Sequence, residues 1–220
     1  MAITLDGTNT QSAIETGVST LTFSRTTGSG SNKGLVVSVS CYGANRETSG
    51  VTYAGSAMTE FRQEDGENTN TSVWFLPNPA TGANNVVVTQ PGNCDGISAG
   101  AVALFGVQQG TTADSSNGSA FSGITSKTLT VTTVAANCWI FDAIGDQTSA
   151  LVQTSPQVLI LDQFGHTGAG SYKTDVTAGS NSMAWTWGGS SESGSIAAAA
   201  LAPAVVVNTT SGSTLLMMGV

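Results

Sequence analysis

Apolar side chains alternate with small polar ones in short runs along most of the chain, and this period of two restricts the fold more than any other feature. In one run, Leu35, Val37 and Val39 share one face, whereas Ser38 and Ser40 lie on the other. Such alternation is typical of β-strands, because successive side chains point to opposite faces. Clusters of Gly, Pro and Asn separate the runs every roughly 10 to 15 residues, as in a sandwich or jelly roll. The sequence therefore predicts an all-β fold, an antiparallel β-sandwich that is jelly-roll-like and has extended terminal arms.

The clearest runs define predicted strands at 19–24, 35–41, 73–76, 85–90, 97–105, 127–134, 138–143, 158–161, 183–187 and 196–201. Predicted turns lie between them, at 28–32, 77–79, 81–82, 91–92, 116–118 and 188–189. Alanine is concentrated in 97–103 and 196–201. Because small side chains let a facing sheet or a large aromatic ring approach closely, we predict that these two strands are central and closely packed.

Charged residues make up only 9% of the chain, against about a quarter in ordinary soluble domains. The 14 Asp and Glu outnumber the 6 Lys and Arg, so the net charge is −8. The basic residues are scattered, and a negative overall field repels nucleic acid and anionic lipid. We therefore expect no nucleic-acid partner and no membrane partner.

Two segments bear on targeting. The first six residues, Met-Ala-Ile-Thr-Leu-Asp, lack the basic and apolar regions of a signal peptide. The longest apolar stretch, 196–207, contains Pro203 and is shorter than the roughly 20 residues that a transmembrane helix needs. We expect synthesis in the cytoplasm without a signal peptide.

The three cysteines cannot all pair within one chain. Cys41 and Cys138 lie within apolar strand patterns and are predicted to be buried free thiols, whereas Cys94 lies in a predicted turn and is expected to be exposed. None has the spacing of a metal site. We therefore expect no cofactor and no metal ligands.

Terminal segments differ from the body of the chain. We predict one β-sandwich at 19–203, an N-terminal arm or first edge strand at 1–18, and a C-terminal arm at 204–220. The last segment has two apolar runs around a Ser/Gly hinge, and its assembly residues are predicted to be Val205, Val206, Val207, Leu215, Leu216, Met217 and Met218. An unpaired apolar strand at the edge of a monomer tends to pair with another chain. The arms therefore predict a homo-oligomer formed by strand addition or arm exchange.

Catalytic motifs are weak. The single histidine, His166, lies in a Gly-rich segment, and no Gly-x-Ser-x-Gly elbow accompanies it. The Gly-rich segments 28–34 and 165–170 lack the Lys-Ser/Thr of a phosphate-binding loop and are interpreted as turns. We therefore predict that the protein is not an enzyme.

Two groups of carboxylates leave alternatives open. The densest charge comprises Glu60, Glu64, Asp65 and Glu67. Loop carboxylates suit calcium, but the spacing of an EF-hand is absent and a solvated loop is the favoured interpretation. Asp142, Asp146 and Asp162 lie near predicted strand ends, where a glycosidase would need two carboxylates facing each other across a cleft.

Trp185 and Trp187 point the same way on one predicted strand, beside a Gly-rich loop. Exposed aromatic rings stack on sugar rings, so both are candidate glycan contacts. Burial in the core is the alternative, and it is favoured because tryptophan is highly buried on average.

Residues 20–203 resemble a group of β-sandwich proteins common in bacteriophage and marine metagenomic genomes. The resemblance rests on the order of the segments 21–24 (LTFS), 32–40 (NKGLVVSVS), 50–59 (GVTYAGSAMT), 73–82 (VWFLPNPATG), 183–187 (MAWTW) and 196–203 (IAAAALAP). It implies a virion surface part: a head decoration or cement protein, a spike, or a fibre or tail module, for some of which glycan binding is suspected. No catalytic motif is implied, and 204–220 lies outside the resemblance.

The leading hypothesis is a structural protein of a phage virion, most plausibly a capsid decoration or cement protein that assembles through sandwich contacts and terminal arms. Its partners would be copies of itself and other capsid or tail proteins. The alternative hypothesis is a carbohydrate- or receptor-binding module of a phage spike, fibre or tail, with a host surface glycan as its partner.

Overall fold

The computed structural model describes residues 1–12, 14–146, 151–154, 156–163, 168–188 and 191–205. These residues form eighteen β-strands, and no helix occurs among them. All strand pairs within the sheets are antiparallel, so the predicted all-β antiparallel class is confirmed. Within this part of the chain, no helix exists that could span a membrane.

The strands fall into two groups along the chain. The first group comprises β1 (Thr4–Leu5), β2 (Thr10–Gln11), β3 (Val18–Thr27), β4 (Gly34–Tyr42), β5 (Gly50–Tyr53), β6 (Ser56–Ala57), β7 (Thr59–Asp65), β8 (Thr69–Pro77), β9 (Gly82–Cys94) and β10 (Gly96–Phe105). The second group comprises β11 (Ser115–Ile124), β12 (Ser126–Thr133), β13 (Cys138–Gly145), β14 (Leu151–Gln153), β15 (Val158–Gln163), β16 (Gly168–Val176), β17 (Gly179–Trp187) and β18 (Glu192–Leu201).

Each group forms its own sandwich. In the first sandwich, the inner sheet is ordered β10-β4-β8-β7, and the short strands β1 and β2 both pair with the free side of β10. This inner sheet faces an outer sheet ordered β3-β9-β5-β6. In the second, the inner sheet is ordered β11-β18-β13-β16-β15 and the outer sheet β12-β17-β14. The strands predicted as one sandwich at 19–203 thus form two sandwiches, each with its own core, and residues 106–114 are the linker between them.

The two sandwiches share one topology. We number the strands within each sandwich from one to eight, counting β1 and β2 together as the first strand and β6 and β7 together as the fifth. Both inner sheets then have the order first, eighth, third, sixth, fifth. Both outer sheets have the order second, seventh, fourth, and in the first sandwich β6 pairs next to the fourth strand. This is jelly-roll connectivity, in which the first and last strands lie side by side. The chain is thus a tandem repeat of one structural unit.

A one-residue bulge recurs at the same point of both units. The register of the fifth strand against the sixth shifts between Glu60 and Arg62 in the first sandwich, and between Leu159 and Leu161 in the second. The extra residues are Phe61 and Ile160. A bulge bends the strand and re-aims its side chains, so both edges curve in the same way.

The two inner sheets pack back to back, which gives four layers. In the middle of the interface, β4 and β8 lie over β13. At one side, β7 packs on β11 and β18. At the other side, β15, the counterpart of β7 in the second sandwich, packs on β2 and β10. The buried apolar residues between the inner sheets are Ile3, Val36, Val73, Phe75, Val102, Leu104, Val107, Trp139, Phe141, Ile160, Tyr172, Ala199 and Leu201. Trp139 and Tyr172 stack there with ring centroids 5.5 Å apart.

Because both faces of the central inner strands β4, β8 and β13 are covered, polar residues on these strands are buried too. Ser38 and Ser40, on the face opposite Leu35 and Val37, are completely buried between the sandwiches. The Ser38 hydroxyl donates to the carbonyl oxygen of Asp142 on the facing sheet at 2.9 Å. Alternation along β4 therefore separates two buried faces.

The alanine-rich strands are β10 and β18, and both lie inside their sheets, as predicted. β10 pairs with β4 on one side and with the N-terminal strands on the other, and β18 lies between β11 and β13. Glycine allows a still closer approach at one point of β18. A Cβ built on Gly194 would lie 1.9 Å from the carbonyl oxygen of Gly145.

The described residues between Met1 and Glu15 follow β10 of their own chain. Thr4 and Leu5 pair with its end, Thr10 and Gln11 with its middle, and Glu15 bridges Ile97 near its start. These pairs place β1 and β2 along the edge of the first inner sheet.

Cys94 is only 1% exposed, so the prediction that it is exposed is wrong. The predicted turn at 91–92 lies inside the long strand β9, and Cys94 is the last residue of that strand and lies in the core of the first sandwich. All three cysteines are buried free thiols, which confirms the prediction for Cys41 and Cys138. The predicted turn at 116–118 is likewise part of a strand, β11.

Candidate functional site

The two candidate glycan-binding tryptophans lie in the core of the second sandwich. Trp185 is completely buried, and Trp187 is 5% exposed and packs on Phe121 with ring centroids 5.4 Å apart. Their indole N–H groups donate to the Asp142 carboxylate at 2.8 Å and to the Ile124 carbonyl at 3.0 Å. A glycan contact through Trp185 and Trp187 is therefore wrong for this fold, because neither ring has a face open to stack on a sugar.

Asp142 is the most strongly perturbed carboxylate that the structure describes. It lies on β13 in the second core and accepts hydrogen bonds from the Ser171 amide at 2.7 Å, the Ser171 hydroxyl at 2.8 Å and Trp185. Burial raises its pKa to about 6, against the opposing effect of these three donors. Gln157 extends the network by donating to the Ser171 hydroxyl at 2.8 Å and accepting from the Ala184 amide at 2.6 Å.

This network is closed to substrates. Asp142 is fully buried and Asp146 is 2% exposed, so neither carboxylate faces a cleft in the way that a glycosidase requires. The side chain of Asp162 and all of His166 lie outside the described residues.

Two carboxylates of the acidic cluster form ion pairs with arginine. Asp65 accepts from the Arg46 guanidinium at 2.8 and 3.0 Å, and Glu64 pairs with Arg62. Among the described residues, no three His, Cys, Asp or Glu side chains converge in a way that could hold a metal ion. The cluster therefore consists of separate charges on the edge strand β7 and just after it, beside a polar cavity of about 250 Å³ at the Arg46 loop.

Well-defined contacts hold the chain at Pro203 and Ala204, just before the segment 206–220 begins, and we call this place the exit point. The Ala204 amide donates to Gly106 at 2.8 Å, the Met1 ammonium donates to the Ala204 carbonyl at 3.0 Å, and Pro203 bridges Val107. The next residue, Val205, is 79% exposed. It is the first of the predicted arm residues, and Val206, Val207, Leu215, Leu216, Met217 and Met218 lie outside the described residues.

Two cavities adjoin each other along the linker between the sandwiches. The smaller, of about 220 Å³, lies between the linker and the end of β18, and Val134 contributes to its wall. The larger, of about 300 Å³, lies between the linker, β7 and the start of β11. Thr112 and Ala113 contribute to both, so the two form one groove along the seam.

Sequence reasoning missed this groove. Its only signal is Phe61, an aromatic residue in the otherwise charged and polar segment 60–65. Nothing in the sequence placed that segment beside the linker, because the contact depends on the back-to-back packing of two sandwiches that were predicted as one.

Searches for similar proteins add nothing to this geometry. No family model, curated protein or solved structure matches the chain.

Proposed function

We propose that this protein is a structural component of a bacteriophage particle, most specifically a head decoration or cement protein, and that copies assemble through the segment after Val205. The observation that carries the proposal is the anchored exit point. Three backbone contacts hold Pro203 and Ala204 against the linker and the first residue, and an apolar segment follows directly.

The surroundings of the exit point support an assembly surface. Met1 is 55% exposed and its ammonium bonds to Ala204, and Val134 is 80% exposed in the wall of the smaller cavity, which Ala202 also lines. Exposed apolar groups that cluster at one place mark interaction surfaces more often than scattered ones do. A neighbouring copy would bury these side chains together with the apolar runs of 206–220.

The body suits a mechanical role. Both faces of the central strands of the two inner sheets are buried, and one apolar layer joins the sandwiches over their facing sheets. The outer strands β3 and β12 present mainly Ser and Thr instead of charges. Contacts between such surfaces change little with ionic strength, because salt screens charges and leaves apolar and neutral polar contacts largely intact.

The test compares the full-length chain with one that ends at Val205, which keeps every anchoring contact. Light scattering should give a discrete oligomer or larger array for the full-length protein and a monomer for the truncated one. Circular dichroism should show the same β-sheet signal for both. A matched control is the full-length chain with Leu215, Leu216, Met217 and Met218 replaced by serine, which should behave like the truncation.

Two results would count against the proposal. The full-length protein could be a monomer at all concentrations, or the truncated chain could form the same oligomer as the full-length one. Either result would remove the assembly role of 206–220.

A further inference from the structure

The larger cavity of the seam groove has the construction of a small ligand site. It measures about 300 Å³ and is lined by Glu60 and Phe61 of β7, Thr111 and Thr112 of the linker, and Ser115 and Ser116 of β11. This volume lies at the lower limit of ligand pockets in proteins, which run from about 300 to 1,000 Å³. It combines one aromatic ring with hydroxyl groups and a carboxylate.

The bulge in β7 presents the aromatic ring. Phe61 is the extra residue of the bulge, and its ring rests on Phe75 with centroids 5.2 Å apart. The ring remains partly exposed where it lines the groove. At the same bulge of the second sandwich, Ile160 is only 4% exposed and belongs to the inter-sandwich core. The shared architecture therefore presents an accessible aromatic ring in one unit and buries an aliphatic side chain in the other.

Polar groups that solvent can reach lie beside the ring. Glu60 supplies an exposed carboxylate, and Thr111 and Ser116 supply exposed hydroxyls. Such groups can bond to the hydroxyls of a ligand whose apolar face lies on the ring. The Ser115 oxygen, in contrast, has almost no accessible surface, so a ligand in the groove does not reach it.

We propose that this groove binds one ring of a neutral saccharide. The apolar C–H face of the sugar would lie on Phe61, and its hydroxyls would bond to the Glu60 carboxylate and the Ser116 hydroxyl. Of the described residues that line the groove, none is a cation, and the chain carries a net charge of −8. Charge therefore favours a neutral ligand over a phosphate, sulfate or uronic acid.

Affinity should be in the millimolar range, because the groove is open and a single sugar ring offers few contacts. Ending the chain at Val205 removes none of the described residues that line the groove, so the truncated chain should bind the same glycoside as the full-length chain.

The experiment is saturation-transfer NMR on the full-length protein with the methyl glycosides of glucose, galactose and N-acetylglucosamine, and with glucuronate as the anionic comparison. At least one neutral glycoside should bind saturably. Phe61→Leu keeps an apolar contact with Phe75 but removes the flat ring, and should weaken that binding at least about fivefold. Ser116→Ala and Glu60→Gln should each weaken it about threefold or more, through loss of a hydrogen bond.

Phe23→Leu is the matched control, because Phe23 is another partly buried phenylalanine, on the outer strand β3 of the same sandwich. It should bind like the wild type. The proposal is overturned if none of the three neutral glycosides binds saturably up to about 50 mM. It is also overturned if Phe61→Leu and Glu60→Gln both bind like the wild type, or if glucuronate binds more tightly than the glucoside. Glu60→Gln alters an exposed position, so it remains informative if Phe61→Leu fails to fold.

Discussion

At the residue scale, the buried Asp142 makes stability depend on pH. Its pKa of about 6 lies above its ordinary value of 3.8, so the folded chain binds more protons than the unfolded chain between these two values. Stability from this residue is fully present below about pH 4 and is lost as the pH rises through about 6. Two pKa units correspond to about 3 kcal/mol, and we expect the free energy of unfolding to fall by about that amount between pH 4 and pH 7.

The matched variant is Asp142→Asn, a neutral side chain of the same shape. It should remove most of the pH dependence between pH 4 and pH 7, and it should lower the stability at pH 7, because the asparagine N–H₂ cannot accept the hydrogen bond from Trp185. Urea unfolding at several pH values measures both. An equally steep decrease in the variant would show that other groups cause the pH dependence.

Sequence reasoning reached part of this residue-level arrangement. The apolar pattern around 183–187 allowed a buried Trp185, but hydrophobic periodicity cannot show that its N–H meets a carboxylate 43 positions earlier in the chain. The prediction that Cys94 is exposed was wrong for a different reason. Its neighbours Pro91 and Gly92 are typical of turns, yet they lie in an irregular stretch of β9 between the paired residues Thr89 and Cys94, and the strand continues past them.

At the scale of single elements, the close approach of β18 to β13 requires glycine at position 194. In Gly194→Ala the new methyl group would lie 1.9 Å from the Gly145 carbonyl oxygen, and the backbone would have to shift. We expect a loss of about 2 kcal/mol or more in the free energy of unfolding.

Gly50→Ala is the control for this substitution. Gly50 begins β5, and a Cβ there meets no atom within 4 Å. Its free energy of unfolding should change by no more than about 0.5 kcal/mol. Chemical denaturation measures the free energy of unfolding of both variants. Equal values for Gly194→Ala and Gly50→Ala would contradict the close packing of β18 on Gly145.

The strands that sequence predicted well are those with strict alternation. Each of the predicted segments 35–41, 97–105 and 196–201 lies within an observed strand. The missed strands include β11 and β16, whose Gly- and Ser-rich segments resemble loops in composition. Their pairing comes from neighbouring strands, and a single sequence does not contain that information.

At the scale of the whole molecule, the two sandwiches should unfold together. Separating them would expose the apolar layer between the inner sheets, including the fully buried Phe141. We expect one calorimetric transition for the wild type, and a loss of about 3 to 5 kcal/mol for Phe141→Ala. Val134→Ala, at an 80% exposed position, should change stability by no more than about 0.5 kcal/mol. Two separate transitions in the wild type would contradict the coupling.

The tandem repeat escaped sequence reasoning because the two units share strand order more than residue identity. The bulge residue is Phe61 in one unit and Ile160 in the other, and Trp185 has no tryptophan partner on the corresponding strand β9. The burial of Ser38 and Ser40 was missed for the same reason. A polar face indicates solvent unless a second sandwich is known to cover it.

The central claim is that residues after Val205 join one copy of the protein to another. A photo-reactive phenylalanine analogue at Leu216, in a mixture of unlabelled and ¹⁵N-labelled full-length chains, tests it most directly. Mass spectrometry after irradiation should find cross-linked peptides that join the tail of a light chain to the body of a heavy chain. Cross-links confined to peptides of the same isotopic label would show that the tail contacts only its own chain, and would contradict the account.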